Sequence, residues 1–213
     1  MNGFGTDRAM IALDCDGGVW TATINRPDKA NSLTSAMLEE LERIAAAAAA
    51  EGARVLVLTA AGKVFSAGAD LDEARAGLAT SPVWERLSGR IASLSCLTIA
   101  ALNGTLAGGA MGMALACDIR IAAEGAKFFY PVMKLGFLPQ PSDPPRLAAL
   151  VGPSRAKMIL MAGQKIDTAE ALAWGLIDRM VPGADLMDTV AALSADARGA
   201  SPEHVAGIKA LVP

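Results

Sequence analysis

Several reactive residue types are scarce in this chain of 213 residues. It has one histidine (His204), one tyrosine (Tyr130) and three cysteines (Cys15, Cys96 and Cys117). No C-x-x-C or H-E-x-x-H pattern occurs, so we expect no metal site. A G-x-S-x-G pattern is also absent, and with a single histidine a serine-hydrolase triad lacks support. Three scattered cysteines are typical of a reducing compartment, where they act as small apolar fillers, so we expect a cytoplasmic protein.

Charged residues are also few. Charged residues make up 19% of the chain, the net charge is −3, and there is no basic block. We therefore expect neither nucleic acid nor an anionic membrane surface as a partner. The N-terminal sequence MNGFGTDRAM lacks a basic segment followed by an apolar one, so it does not read as a secretion signal. The length suits one domain with a sizeable core, and we expect a single domain over residues 1–213.

The longest apolar segment is an uncharged run of 27 residues, Ile91 to Cys117, and it contains four glycines. It is long enough to span a bilayer, and its glycines form two overlapping G-x-x-x-G patterns. Serine, threonine and asparagine interrupt the run, however, and Asn103-Gly104 is a turn signal near its middle. We therefore favour a strand over residues 97–102, a turn, and a buried helix from about Gly109.

Elsewhere the pattern predicts an α/β domain in which strands alternate with helices. The sequence RVLVLTA (54–60) is a continuous apolar strand of the kind found where both faces of a sheet are covered. Thr34 is placed to cap a helix that starts near Ser35 and runs to Ala50. Further elements are a hairpin of strands 11–14 and 19–25, a strand in DIRIAAE (118–124), and helices in LDEARAG (71–77), after PQPSDPPRL, in PSRAKMILMAG (153–163) and in DTAEALAW (167–174).

Two glycine-containing loops each connect a buried strand to a helix, SAGAD (66–70) and AGGAMG (107–112). The start of a helix has unsatisfied N–H groups, and glycine lets a ligand approach them closely. Two such loops side by side could direct two N–H donors at one negative oxygen, which would form an oxyanion hole. From local chemistry alone, ordinary tightly packed turns remain an alternative. A dinucleotide site is less favoured, because GGAMG lacks the full G-x-G-x-x-G spacing.

Four segments together resemble the crotonase superfamily, the enoyl-CoA hydratase/isomerase family. They are NRPDKANSL, VFSAGADL, ALNGTLAGGAMGMALACDIRIAAEGAKF and ALAWGLIDRMVP, and the resemblance extends over about residues 9–210. It implies a spiral of β-β-α units with two roughly perpendicular sheets, usually assembled as a homotrimer or hexamer. It also implies an acyl-CoA substrate, in which coenzyme A is part of the substrate and no separate cofactor is needed.

The resemblance also assigns site residues. The two oxyanion N–H donors carry over to Ala67 and Gly109. Lys29 and Ala30 fall where the family contacts the nucleotide portion of CoA and its pantetheine. The rest of the implied substrate path comprises Gly68, Ala69, Asp70, Leu71 and Gly108. We interpret Asp70 as a helix-start residue rather than a catalyst, because a predicted helix begins after it.

The chain departs from the family pattern at both acid–base positions. The hydratase glutamates correspond here to Gly112 and Val132, and neither residue can move a proton. The sequence therefore predicts a family member that is not a standard hydratase. Asp143 is the best substitute general acid or base, although it could instead cap the helix at Pro144. Tyr130 is a weaker candidate, with a buried aromatic residue as the alternative role.

The sequence leaves two other functions open. The chain could be a catalytically silent CoA-binding or assembly protein, or a crotonase-fold decarboxylase, hydrolase or dehalogenase that uses Asp143. The resemblance further implies a shortened C-terminal helical region, with a spiral core over about residues 9–190 and the start of the helical region over 191–213.

Overall fold

Two β-sheets organise the computed structural model, which describes residues 9–212. The six-stranded sheet has the order β1 (Ile11–Asp16), β2 (Val19–Ile24), β3 (Val55–Ala60), β5 (Leu97–Leu102), β7 (Ile119–Ala123) and β10 (Arg179–Val181). The four-stranded sheet has the order β4 (Val64–Ser66), β6 (Thr105–Ala107), β8 (Lys127–Phe129) and β9 (Ile166–Asp167). All neighbouring strands are parallel except the β1–β2 and β8–β9 pairs.

Ten α-helices of residues 9–212 pack around these sheets. They are α1 (Ser35–Ala50), α2 (Leu71–Arg75), α3 (Val83–Ala92), α4 (Met111–Leu115), α5 (Val132–Leu135), α6 (Asp143–Val151), α7 (Pro153–Leu160), α8 (Thr168–Trp174), α9 (Leu186–Gly199) and α10 (Pro202–Ala210). None of the helices in this range has both the length and the apolar character needed to cross a bilayer.

The chain order shows a repeating unit. In each of the pairs β3–β4, β5–β6 and β7–β8, the first strand joins the large sheet and the second joins the small one, and a helix follows. Each unit lies beside the previous one with its strands parallel to it. The β-β-α units and the two sheets confirm the predicted fold class.

The central strand β3 is covered on both faces, as its continuous apolar sequence predicts. Val55 and Val57 belong to a small buried cluster that includes residues of α9, whereas Leu56 and Leu58 belong to the main core. All six β3 residues are buried. This arrangement fixes the carboxyl ends of the parallel strands, where the following loops begin.

The first helix begins as its sequence predicts. The Thr34 side chain accepts a hydrogen bond from the Met37 N–H at 3.2 Å and so satisfies one of the free amides at the start of α1. Ala45 and Ala48 in the alanine stretch are buried, which is consistent with an end of the helix packed close to its neighbours.

The uncharged run does divide into short elements, since β5, the turn at Asn103-Gly104, β6 and α4 all lie within it. A Cβ on Gly104 would lie 2.0 Å from the Lys63 carbonyl oxygen, so only glycine fits this turn. The short strand β6 was not predicted, and neither was β4 in the segment expected to be a loop. Three residues give too little periodicity to distinguish a strand from a loop.

Other expectations need correction. Helices α3 and α5 were not predicted. Helix α9 extends across residue 190, near which we expected the C-terminal helical region to begin. Cys15 is exposed, unlike Cys96 and Cys117, so only the latter two act as buried apolar fillers. His204, the single histidine, is exposed in the first turn of α10.

Candidate functional site: two glycine loops and a buried Tyr–Asp pair

The two glycine loops lie side by side because they follow the neighbouring parallel strands β4 and β6. Gly68 has φ +95°, and a Cβ there would lie 3.1 Å from the Ala107 carbonyl oxygen. Gly108 has φ +59°, and a Cβ there would lie 3.6 Å from the Cα of Gly68. A side chain at Gly68 would therefore be strained and would press the loops apart. The glycines permit a close approach of two main chains.

The hydrogen bonds of the first loop decide which of its amides is free. The Ala67 N–H already donates to the Ala30 carbonyl oxygen at 3.1 Å, and the Gly68 N–H donates to the Ser66 hydroxyl at 3.2 Å. The prediction of Ala67 as a free donor is therefore wrong, because a neighbouring main chain occupies its N–H. By contrast, the Ala69 N–H has no hydrogen-bond partner among residues 9–212.

The second loop also leaves an amide free. Gly109 is the second residue of a 3₁₀ helix that spans Gly108–Ala110 and leads directly into α4. The first N–H groups of a helix have no partner within it. In agreement with this, the Gly109 N–H makes no hydrogen bond to any of the described residues. The Gly109 backbone packs against Trp84, whose ring would lie 3.2 Å from a Cβ at position 109.

Asn31 attaches its own segment, residues 26–31, to the chain that leads into the SAGAD loop. Its buried side chain accepts from the Arg26 N–H at 2.8 Å and donates to the carbonyl oxygens of Ala61 and Val64 at 2.8 and 2.7 Å. Its own carbonyl oxygen accepts from the Ser66 hydroxyl at 2.8 Å. These bonds hold the segment beside the amides of the SAGAD loop.

Lys29 and Ala30 belong to the segment that Asn31 holds. Lys29 ends a short 3₁₀ helix, and its side chain is exposed. Ala30 has φ 49°, a left-handed conformation that turns its carbonyl toward Ala67. The structure thus brings Ala30 to the edge of the SAGAD loop, but neither Lys29 nor Ala30 lines the cavity described below.

Asp70 has a structural role, as its position before a predicted helix suggested. It is the N-cap of α2, where its carboxylate accepts from the N–H groups of Asp72 and Glu73. Its other oxygen receives a hydrogen bond from Arg26 at 2.7 Å. That hydrogen bond, followed by the backbone N–H donors, lowers the pKa of Asp70.

A cavity of about 400 Å³ lies against both loops. Among the residues predicted for the site, those lining the cavity are Ala67, Gly68, Ala69, Leu71, Gly108, Gly109 and Tyr130. The ionisable side chains in the lining are Arg75 and Tyr130 alone, and the carboxylates of Asp70 and Asp143 do not line it. No group of three His, Cys, Asp or Glu side chains within residues 9–212 could hold a metal ion.

Asp143 lies directly behind the cavity wall. It is 1% exposed and is the first residue of α6, yet it makes no capping hydrogen bond there. Its Oδ2 instead accepts a hydrogen bond from the Tyr130 hydroxyl at 2.8 Å, while Oδ1 has no hydrogen-bond partner among residues 9–212. A Cβ at Gly112 would lie 2.7 Å from that Oδ1. The carboxylate thus fills the space that a side chain at position 112 would need.

The surroundings of Asp143 change its acidity. Burial raises its pKa from 3.8 to about 6, while the hydrogen bond from Tyr130 and the charge of Arg146 act in the opposite direction. Burial also raises the pKa of Tyr130 well above its usual range, followed in importance by the charge of Asp143. Val132, which we expected at the second glutamate position from the sequence resemblance, is a buried apolar residue of the cavity wall.

Comparison with known proteins gives a consistent result. The family described as "Enoyl-CoA hydratase/isomerase" matches residues 14–212. The chain is similar to a "Probable enoyl-CoA hydratase echA8" of Mycobacterium tuberculosis, with 33% identity over 92% of this chain and 80% of the relative. It is also similar to "4-chlorobenzoyl coenzyme A dehalogenase-2" of an Arthrobacter species, with 30% identity over 93% of this chain and 75% of the relative. The crystal structure of an enoyl-CoA hydratase from Bacillus anthracis superposes with a TM-score of 0.86 and 34% identity, covering 92% and 80% of the two chains.

Proposed function

The chain belongs to the enoyl-CoA hydratase/isomerase family, and we propose that it binds an acyl-CoA thioester and stabilises its enolate with the N–H groups of Ala69 and Gly109. The observation that carries this proposal is the pair of unpartnered amides on adjacent loops of one cavity wall. Enolisation of a thioester places negative charge on its carbonyl oxygen. Fixed donors in a site sheltered from water stabilise that charge most strongly in the transition state.

The cavity favours an apolar acyl group. Apart from Arg75, none of the described residues in its lining has a charged side chain. The wall also includes three leucines whose side chains are largely exposed, Leu71, Leu135 and Leu138. The pantetheine would pass along residues 67–71, with the nucleotide portion of CoA near Lys29 and Ala30. Coenzyme A would thus enter as part of the substrate, and the proposal requires no resident cofactor.

We do not propose standard hydration. That reaction requires groups that hold a water molecule and deprotonate it, whereas Gly112 and Val132 offer no such groups and no carboxylate lines the cavity. Asp143 is the acid–base group of the proposal, because it is a buried carboxylate in contact with a residue of the cavity wall. The relatives differ in the activities that their names print, a hydratase and a dehalogenase, so family membership leaves the reaction open.

The same features favour a second candidate, a CoA-binding protein without catalytic activity. Gly112, Val132 and the absence of a carboxylate from the lining all support it. Incubation with a panel of acyl-CoA thioesters distinguishes the two. Turnover that Asp143→Asn abolishes would contradict the silent alternative, whereas tight binding without any turnover or proton exchange would support it.

The oxyanion site itself is tested by binding. Butyryl-CoA carrying ¹³C at the thioester carbonyl should show a downfield carbonyl shift when bound, because hydrogen bonds polarise the C=O group. A crystal structure with acetoacetyl-CoA should place the thioester oxygen between the N atoms of Ala69 and Gly109. An oxygen bound elsewhere, or an unshifted carbonyl signal in the bound state, would reject the site.

A matched pair of glycine variants tests the approach of the loops. Gly68 and Gly77 both have positive φ, but a Cβ at Gly68 would press on the Ala107 carbonyl oxygen, whereas a Cβ at Gly77 has open space. Both Gly68→Ala and Gly77→Ala therefore incur backbone strain, and only Gly68→Ala should reduce the carbonyl shift. A loss of the shift in both variants would contradict this reasoning.

Assembly is a further prediction of the proposal. We expect a homotrimer or hexamer, and light scattering coupled to size-exclusion chromatography measures the mass directly. A monomer of 21.8 kDa at micromolar concentration would contradict it.

A further inference from the structure

The proposed chemistry needs a proton acceptor, but the buried carboxylate of Asp143 does not line the cavity. Asp143 is 1% exposed and does not line the cavity, whereas Tyr130 both lines the cavity and donates its hydroxyl proton to Asp143 Oδ2 at 2.8 Å. Tyr130 therefore connects the cavity wall to the carboxylate through a hydrogen bond. A proton that passes between the cavity and Asp143 along this connection uses the Tyr130 hydroxyl.

Gly112 keeps the carboxylate in this position. A Cβ at Gly112 would lie 2.7 Å from Asp143 Oδ1 and 3.2 Å from Oδ2. The carboxylate is therefore wedged between the main chain of α4 and the Tyr130 hydroxyl. The hydrogen bond to Oδ2 and the close approach of Gly112 to Oδ1 together favour one orientation of the carboxylate.

We infer that Tyr130 is the catalytic residue that exchanges a proton with the substrate, and that Asp143 is a positioning residue that accepts and returns the proton of Tyr130. This inference rests on the proposed function. In the forward step, the C–H bond at the substrate's α-carbon breaks and its proton goes to the Tyr130 oxygen. At the same time the original phenol proton passes to Asp143 Oδ2. The electron pair of the C–H bond becomes the enolate, whose negative charge replaces that of the carboxylate.

The acidities of the two groups favour a concerted transfer. The pKa of Tyr130 is raised by burial and by the neighbouring carboxylate, so a free phenolate is not accessible near neutral pH. The pKa of Asp143, raised by burial to about 6, suits a proton acceptor that works near neutrality. The other charged groups that face Asp143 are Arg146 on its own helix and Glu85 on α3. Glu85 also accepts hydrogen bonds from the N–H and hydroxyl of Ser142, which fixes the start of α6.

The test uses deuterium exchange at the α-carbon of butyryl-CoA in D₂O, measured by mass spectrometry. The wild type should exchange these protons with a rate that rises through a midpoint near pH 6, the pKa of Asp143. Tyr130→Phe and Asp143→Asn should each lower the rate about 10²-fold or more, while the affinity for butyryl-CoA stays unchanged. Thermal melting of each variant verifies that it folds.

The single tyrosine supplies an independent readout. Because Tyr130 is the only tyrosine in the chain, ¹³Cζ-labelled tyrosine gives one NMR signal. That signal should shift with the same midpoint as the exchange rate, and Asp143→Asn should abolish the titration. A merely structural Tyr–Asp hydrogen bond would give the NMR titration but no matching exchange profile, and such a result would overturn the relay.

Glycine variants provide the matched control. Gly112→Ala should displace the Asp143 carboxylate, move the tyrosine signal and lower the exchange rate. Gly89→Ala, on α3 with no atom within 4 Å of its Cβ, should leave both unchanged. Exchange that persists in Tyr130→Phe would overturn the relay, since Asp143 would then act without the phenol. A polarised thioester carbonyl without exchange would overturn the relay alone, whereas an unpolarised carbonyl would overturn the proposed function as well.

Discussion

Replacement of Asp143 by asparagine should make the protein more stable at neutral pH. The carboxyl has a pKa of about 6 in the folded protein, against 3.8 for an unperturbed aspartate. One pKa unit corresponds to about 1.4 kcal/mol, so ionising the buried carboxyl costs the folded state about 3 kcal/mol. Asparagine retains an acceptor for the Tyr130 hydroxyl but carries no charge, and it therefore escapes this cost.

The direction in which stability changes with pH follows from proton binding. Between pH 3.8 and about 6 the folded protein holds the Asp143 proton while the unfolded chain has released it. Stability therefore falls as pH rises through this window, and the contribution of the group levels off above about pH 7. The difference in unfolding free energy between Asp143→Asn and the wild type should grow by about 2 kcal/mol from pH 4 to pH 7, because part of the total change has already occurred at pH 4.

Urea denaturation at a series of pH values from 4 to 7.5 measures this difference. Other titrating groups cancel because they are common to both proteins. Asp196→Asn, which removes an exposed carboxylate, serves as the control and should show a much smaller change. A difference that stays constant with pH, or that shrinks as pH rises, would refute the burial argument.

Three further predictions concern the hydrogen bonds and close packing that support the site. Asn31→Ala removes three hydrogen bonds and should lower the unfolding free energy by roughly 3–4 kcal/mol in urea denaturation; a change below about 1 kcal/mol would contradict the role of its side chain. Gly104→Ala places a methyl group against the Lys63 carbonyl and should lower the unfolding free energy by about 3 kcal/mol or more. Gly89→Ala in α3 should instead raise it by up to about 1 kcal/mol, so equal melting temperatures of the two variants would contradict the close packing at Gly104. Asp70→Ala should lower the melting temperature at pH 7 and have less effect at acid pH, where the lowered pKa of Asp70 is crossed, and an effect independent of pH would argue against its bond to Arg26.

Local sequence accounted for the features whose causes are local. The Thr34 cap, the Asp70 cap and the buried strand β3 each depend on residues within one element, and the structure confirms all three. The sequence analysis considered that the two glycine loops could lie side by side, but the neighbouring parallel strands β4 and β6 that bring Gly68 and Gly108 together were not predicted.

Hydrogen bonding between distant segments was not predictable. The Ala67 N–H donates to the carbonyl oxygen of Ala30, which lies 37 positions earlier in the chain. The available donor of this loop is therefore the Ala69 N–H and not that of Ala67. In an extended segment the N–H groups of residues two apart point the same way, but Gly68 has φ +95° and breaks this alternation between Ala67 and Ala69. Which of the two amides faces the cavity therefore depends on a local turn that the sequence pattern does not specify. Tyr130 and Asp143 were both candidates, but neither spacing nor composition indicates that they form a hydrogen bond.

The position of Asp143 also bears on the expectation that two glutamates are absent. The sequence resemblance implies that Gly112 stands where the family has one of these acids. In space, however, a carboxylate lies 2.7 Å from where the Cβ of residue 112 would be, and it comes from the facing helix α6. A small residue at 112 and a carboxylate at 143 are therefore parts of one arrangement, since each excludes a larger side chain at the other position. An acid absent from its aligned position is consequently weak evidence for an inactive protein when a facing element places a buried carboxylate in the same space.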